Sequence, residues 1–560
     1  MFLDLKNKIV FRIAPLSLAL AFLLGLASGV YTQMQTPSPT PVDKMPVAPT
    51  VKTTLRPIPG SARVGVDLAD QLSLTLEQAI EMALKNNNDI EASRKDIRIS
   101  EFSIRGAKGV YDPLINSQSY FESRTTPVAS TIGGAVGGSV TQRQFFNNAG
   151  LSGFTPKFGG SYDVIFNSSR TTSTNRNSTL NPQYPTSLVA TYIQPLWRNR
   201  VIDNNRRLIE IAKKNLDISD SQLQLKAIDV VSTTEQAYWN LVFSLRNLQV
   251  QIDTLKQARE QFESNERLVN KGVLAPIEIV AAKVQISTFE QNIYTAQEAV
   301  TSNENKLKTL LLPNRTSTEW ARPLMPITPV EITIPKVGLE VAVTEALKNR
   351  PEITQLEVTA EINRIDRGFF KNQTKPQIDL VGSYTSAGLA GTPNPLSSGS
   401  ASVPPNLVGG YFTSLGGLLQ QDFPTYRLGV QISLPWGNRV AKANLGQNIV
   451  EGERLTNTRA QVEQIIEAEV RNAIQGLRSA ESRLTSATDG RVAAEELYAS
   501  EQRQFRAGTT TFFLVAQRQT ELLAARSREL QSQTDLNVAI SVFYRATGAT
   551  LTINNVSVAK

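Results

Sequence analysis

Serine, lysine and carboxylate side chains are what this sequence offers for acid–base or nucleophilic chemistry, because its 560 residues contain no cysteine and no histidine. Thiolate nucleophiles, disulfides, zinc-type sites and the imidazole proton shuttle are thereby excluded. No pattern gathers the groups that remain. The GxSxG nucleophile elbow, the Walker A string and the GxGxxG dinucleotide fingerprint are all absent. A formal net charge of +8 over this length reads as a solvated surface, not as a nucleic-acid footprint. The chain is therefore expected to be no enzyme, to need no cofactor or metal, and to bind no nucleic acid.

With no reactive constellation, the informative residues are those that start, stop and turn elements. Lys6, Lys8 and Arg12 precede a mainly apolar run over 13–30 that contains Pro15 and Gly25 and closes on Ala27, Ser28 and Gly29. This is the layout of a secretory signal, and residues 1–30 are assigned to it. Residues 31–71 form a linker, since seven prolines fall within 36–60 and such a stretch cannot bury a core. No later segment approaches the ~18–20 continuous apolar residues of a membrane-spanning helix.

The rest of the chain repeats itself. Ala83-Leu84-Lys85-Asn86 returns as Ala346-Leu347-Lys348-Asn349, with Pro113 against Pro376. Trp197-Arg198-Asn199-Arg200-Val201 parallels Trp436-Gly437-Asn438-Arg439-Val440, and Arg267 and Gly272 parallel Arg503 and Gly508. This duplication assigns 72–312 to a first copy, 313–335 to a connecting segment, 336–549 to a second copy and 550–560 to a tail. Each copy reads helix, β region, very long helix, glycine turn, helix. Thr75 and Gln78 have capping-box spacing, and the first helix is predicted to run to about Lys108, where Gly109 and Pro113 stop it. Alternation over 426–434 and 378–384 predicts strands, as do 114–121, 160–167 and 188–193. The Gly-, Ser-, Asn- and Thr-rich links 125–155, 168–186 and 386–422 read as long loops. Residues 204–270 hold no Pro or Gly, enough for a helix on the order of 100 Å. Tyr238, Leu241, Leu245, Leu248, Ile252 and Leu255 alternate three-four spacing, as do Val470, Ala473, Leu477, Ala480, Leu484 and Ala487. That repeat implies supercoiled antiparallel hairpins, reversing at Gly272 and Gly508.

Two membrane-crossing strands per copy would make four per chain. Four strands leave open edges, which a bilayer forbids; the smallest bacterial outer-membrane barrels have about eight. Either the sheet is soluble, as in an exported coiled-coil structural or adhesion protein, or several chains pool their strands. Trp197 and Trp436 are then either interfacial anchors or packing at the barrel–helix junction, while Pro195 and Pro435 end strands.

The strings LTLEQAIEMALKNN (74–87), IQPLWRNR (193–200), GLEVAVTEALKNRPEI (338–353), ISLPWGNR (432–439) and FRAGTTTFFLVAQRQTELLAA (505–525), in this order, resemble the TolC-like outer-membrane efflux protein family. The resemblance implies an α+β membrane protein. Long antiparallel helical hairpins would form a periplasmic tunnel, and four β-strands per protomer would enter a twelve-stranded outer-membrane barrel shared by a homotrimer. Segment 313–335 would be the equatorial belt. The implied function is an exit duct in the outer membrane for a tripartite efflux or type I secretion system. Its implied partners are outer-membrane lipid, a periplasmic adaptor (membrane fusion) protein and, through it, an inner-membrane pump of RND or ABC type. By the same resemblance the hairpin tips contact the adaptor and form the entrance: Arg267, Gly272, Val273, Leu274, Ile277 and Glu278 at one, Arg503, Gly508, Thr509, Phe512, Phe513 and Val515 at the other. Pro113, Pro195, Trp197, Pro376, Pro435 and Trp436 mark the junction. Some family members ring the entrance with acidic residues. This chain departs from them, with Leu514 and Gln517 in the corresponding places and Glu278 as a possible substitute in the first tip.

Overall fold

The computed structural model describes residues 63–557, apart from 68, 136, 330–332 and 398–401. The expected signal peptide and all but the end of the expected linker lie outside the described residues. The chain enters through a short strand β1 (Leu72–Leu74) and a helix α1 (Leu76–Asn86). The expected capping box is formed: Thr75 Oγ1 accepts from the Gln78 amide at 3.1 Å, and the Gln78 side chain accepts from the Thr75 amide at 3.0 Å.

The single helix expected to reach Lys108 is two helices. Asn87 adopts an extended conformation and starts α2 (Asn88–Lys108), its side chain accepting from the amides of Asp89 and Ile90. Asparagine favours this role because its short carbonyl satisfies amides that a helix start leaves unpaired. The repeated cluster behaves alike later in the chain. There α5 (Leu339–Asn349) ends at an extended Arg350, and Pro351 opens α6 (Pro351–Gln373). Proline is suited to a first helical turn, where no amide donor is needed.

One antiparallel sheet of six strands follows, in the order β2-β3-β4-β5-β7-β8. Its members are β2 (Leu114–Pro127), β3 (Ser139–Phe154), β4 (Ser161–Ser173), β5 (Leu180–Pro195), β7 (Gln377–Pro393) and β8 (Phe423–Ser433). This corrects the expectation of four strands per chain. It also corrects the reading of 125–155 as a loop, while the strand expected at 160–167 is present as β4. The first β region crosses four times, an even number, so α2 and the helix after β5 lie on the same side. Segment 139–154 carries few branched apolar residues, but it is paired along its length on both sides, by β2 and β4. Pairing, not propensity, makes it a strand.

The sheet has two unlike faces. Leu380, Gly382 and Tyr384 of β7 are registered with Val430, Leu428 and Tyr426 of β8, and further on this face carry Ala190, Val164, Leu151 and Ile115. The opposite face carries Asn116, Ser152, Asp163, Thr191, Ser383, Arg427 and Gln431. A helix that was expected to be loop, α7 (Tyr411–Gln420), covers the outer end of the apolar face. Ser414 meets Thr186 at 2.9 Å, and Ser386 Oγ donates to the Leu418 carbonyl at 2.6 Å. Gly388 permits this, since a Cβ there would stand 2.0 Å from the Ser414 carbonyl.

The long helices are α3 (Asn204–Asn270) and α8 (Arg439–Arg506); each reverses into a shorter one, α4 (Ile277–Leu311) and α9 (Phe512–Thr547). Near the sheet α3 packs on α2 and α6, and α6 on α8. Away from it α3 packs on α4 and α9, and α8 on α9. The three-four stripe expected on α3 is the seam: Leu241, Leu248, Leu255 and Phe262 pack with Ile286, Phe289, Ile293 and Leu307 of α4. On the second hairpin Val470, Ala473, Leu477 and Ala480 meet Leu536 and Phe543. Helix α8 otherwise leaves most of its surface open, including Val450, Ile465, Val492 and Leu497.

A belt crosses α3. Strand β6 (Leu324–Pro326) pairs in parallel with β1. Tyr238 of α3 donates to the Leu74 carbonyl at 3.0 Å and lies 2.8 Å from Thr328 Oγ1. Beneath the belt, Lys308 bonds the Trp320 carbonyl and Glu304, and Arg63 bonds Glu304 from the other side. A last short helix, α10 (Thr550–Ile553), brings Asn554 to Glu235 of α3.

Candidate functional site: hairpin tips and the sheet–helix junction

Both tips close by the same backbone device. At the first, Gly272 has φ of +74°, and the Gly272 and Val273 amides donate back to Val269 and Leu268. At the second, Gly508 has φ of +76°, and the Gly508 and Thr509 amides donate to Phe505 and Gln504. These bonds satisfy the carbonyls that a helix end leaves open, and the left-handed residue they require favours glycine. Neither glycine has any atom near a prospective Cβ, so backbone conformation alone requires it.

The tips differ in what they expose. Val273 and Ile277 stand exposed at the first, joined along α4 by Val280 and Val284. Leu274 and Glu278 are half-buried. At the second tip the paired phenylalanines separate: Phe513 is 67% exposed, while Phe512 is 2% exposed. Phe512 packs on Phe505, with ring centroids 6.1 Å apart, and joins the apolar cluster of the first hairpin. Val515 is buried as well. Phe512 thus joins one hairpin to the other, and within the chain neither it nor Val515 presents an exposed side chain at the tip. Gln285 of α4 reinforces the join, donating to the Ala516 carbonyl and to Gln519. Arg267, Lys271, Arg503, Arg506 and Thr509 are exposed around the turns. Glu266 is exposed among them, so the exposed charge at the tips is mixed, with arginine and lysine in excess.

At the junction, Pro113 immediately precedes β2, and Pro376 immediately precedes β7. Pro195 is the last residue of β5. Strand β8 ends at Ser433, before Pro435. Trp436 is 100% exposed and Trp197 49%, so no contact within the described chain accounts for Trp436. The asparagines of the two repeated strings take left-handed conformations, Asn199 with φ of +67° and Asn438 with φ of +43°. Asparagine is among the residues that tolerate this region. Their side chains lock the turns to α6. The Asn199 amide donates to Asn372 and its side chain accepts from Gln373, while Asn438 donates to the carbonyls of Gln373 and Thr374. Arg206 holds the same turn, donating to Asp203 and to the carbonyls of Asn199, Arg200 and Val201. The turn between β3 and β4 docks here, with Arg200 5.9 Å from the Phe158 ring centroid. Gly159 lies so close that a Cβ would stand 2.6 Å from the Asn199 carbonyl. Sequence reading missed Asn199 and Asn438, although their recurrence after each tryptophan was in view.

Residues 148–311 match the family model described as Outer membrane efflux protein. No curated protein matches the chain by sequence. In structure it is similar to the outer-membrane channel OprN, at 17% identity and a TM-score of 0.60, over 90% of this chain and 98% of that one. It is similar to the CmeC outer membrane channel of Campylobacter jejuni, at 14% identity and a TM-score of 0.60, over 85% of this chain and 86% of that one. It is also similar to the open state of the MtrE outer membrane channel of Neisseria gonorrhoeae, at 16% identity and a TM-score of 0.57, over 85% and 89%. At these identities the likeness is one of fold. The chain therefore resembles the TolC-like outer-membrane efflux proteins in sequence over residues 148–311, and shares the fold of outer-membrane channels over most of its length.

Proposed function

We propose that this chain is the subunit of a trimeric outer-membrane exit duct of a tripartite efflux or type I secretion system. It carries cargo outward through a helical tunnel in the periplasm and has no catalytic step of its own. One observation carries the reading: a sheet with one apolar face and one polar face ends in two edge strands, β2 and β8, each paired on one side only and with nearly all residues exposed. In a bilayer each unpaired backbone group costs several kcal/mol, so such a sheet is stable there only when further copies close it. Among the described residues no helix is long and apolar enough to cross a membrane, which leaves the sheet as the spanning element. The uncovered surface of α8 supports the same conclusion, since neighbouring copies would cover it.

The tips are the proposed docking points for a periplasmic adaptor that links the duct to an inner-membrane pump. Val273, Ile277 and Phe513 offer the apolar contact, with Arg267 and Arg503 beside them. Detergent extraction from outer-membrane fractions, chemical cross-linking and planar-bilayer recording test the proposal together. A cross-linked trimer that conducts ions is the expected result. A protein released without detergent as a monomer, or a reconstituted sample with no conductance, rejects it.

A further inference from the structure

We infer that each copy builds six strands of the barrel wall, so that three copies close an eighteen-stranded barrel in which β2 of one copy pairs with β8 of the next and Glu122 meets Arg427. This rests on the duct reading and deepens it by naming the wall and its seam.

The hairpin β3–β4 is the first ground. It is inserted within the ladder, between β2 and β5, with unbroken registers on both sides. The turn that joins its strands is anchored at the helix junction through Gly159 and Phe158. It therefore spans the height of the sheet and is no extension of an outer loop.

The second ground is closure. Strand β2 runs away from the helices and β8 runs back towards them, so the two edges are antiparallel, as a ring of identical copies requires. A row across the sheet passes from Leu114 through Ser152, Asp163, Thr191 and Ser383 to Arg427. Pairing all of Phe423–Ser433 within Leu114–Pro127, with like faces together, leaves two registers: Arg427 opposite Tyr120, or opposite Glu122. With ~3.3 Å per residue and ~4.8 Å between strands, the two correspond to strand tilts of about 34° and about 43°, at the edge of and inside the usual 35–45°. In one register Glu122 lies diagonal to Arg427, in the other directly opposite, and both distances suit an ion pair. Both side chains are exposed, and among the described residues neither has an ion-pair partner.

Circumference agrees. Four helices per copy (α2, α3, α6, α8) stand at the sheet end. Twelve helices at ~9–10 Å need about 110–120 Å of perimeter, and eighteen strands tilted by ~40° need about 110 Å, against about 75 Å for twelve.

The chain lacks cysteine, so paired substitutions supply the sole thiols. Glu122→Cys/Arg427→Cys and Tyr120→Cys/Arg427→Cys probe the seam between copies, and Ser117→Cys/Ala149→Cys probes the β2–β3 ladder within one copy. After mild oxidation of intact membranes, one of the seam pairs is expected to give a covalent trimer that neither parent single variant gives. The ladder pair is expected to lose reactivity towards a maleimide polymer. A trimer that conducts yet links at neither seam pair overturns the closure and leaves the duct reading standing. Seam linkage with a freely reactive ladder pair places the hairpin outside the wall and overturns the strand count. A monomer without conductance overturns both.

Discussion

Glu235 of α3 accepts a hydrogen bond from Ser541 of α9, and both side chains are buried where the two long hairpins meet. Burial pushes the Glu235 carboxyl above the ordinary glutamate range, and the bonds donated by Ser541 and Asn554 oppose the shift. The folded chain therefore holds this proton to higher pH than the unfolded chain. The site's contribution to stability is greatest in acid and declines as pH rises from the ordinary glutamate value through the raised one. Glu235→Gln keeps the hydrogen-bond acceptor and removes the charge. Melting of purified protein across a pH series should show the variant gaining on the parent as pH rises through that window. A constant difference between them would count against the assignment.

Gly508→Ala and Gly272→Ala test the turns. Each places a side chain at positive φ where no neighbour crowds it, so the expected cost is about 1–2 kcal/mol of backbone strain. Local opening at the tips, read by hydrogen exchange, should increase, while the apparent size on a native gel stays unchanged.

The adjacent phenylalanines should separate by phenotype. Phe512→Ala removes a buried ring that joins the hairpins, for a loss of about 3–5 kcal/mol and a lower Tm. Phe513→Ala alters an exposed ring and should leave Tm within a degree or two. If Phe513 touches the adaptor, cellular efflux and adaptor capture fall in that variant alone. Equal loss of stability in both would show that the exposed ring is structural.

The pair Glu304 and Lys308, each 1% exposed, is a fourth test. Lys308→Met strips Glu304 of one of its two cations and should cost about 3–5 kcal/mol. Glu304→Gln alone strands both Lys308 and Arg63, and combining it with Lys308→Met removes one of the two stranded charges and should recover part of the Glu304→Gln loss. Chemical denaturation of the single and double variants gives the coupling, and strict additivity would mean that the two charges do not interact.

What could be read along the chain was what neighbouring residues settle among themselves. The Thr75–Gln78 box, the alternation of β8, the seam on α3 and the reversals at Gly272 and Gly508 all follow from spacing within a few residues or from one backbone angle. The break at Asn87 was equally local and was missed, because apolar spacing continues across it and hides a change of direction. Strand β3 was illegible for a different reason. Its Gln, Asn, Ser and Gly residues are those of a loop, and only bonding to β2 and β4 makes them a strand.

By itself the sequence determined the helical hairpins, their turning points and the two-faced β8, since hydrophobic period and glycine conformation are properties of short segments. Tertiary structure decided that six strands form one ladder, that Phe512 is core while Phe513 is surface, and that Trp436 stands uncovered. Those outcomes depend on which distant segments come to lie side by side, and backbone pairing and burial are shared between partners that no local pattern identifies.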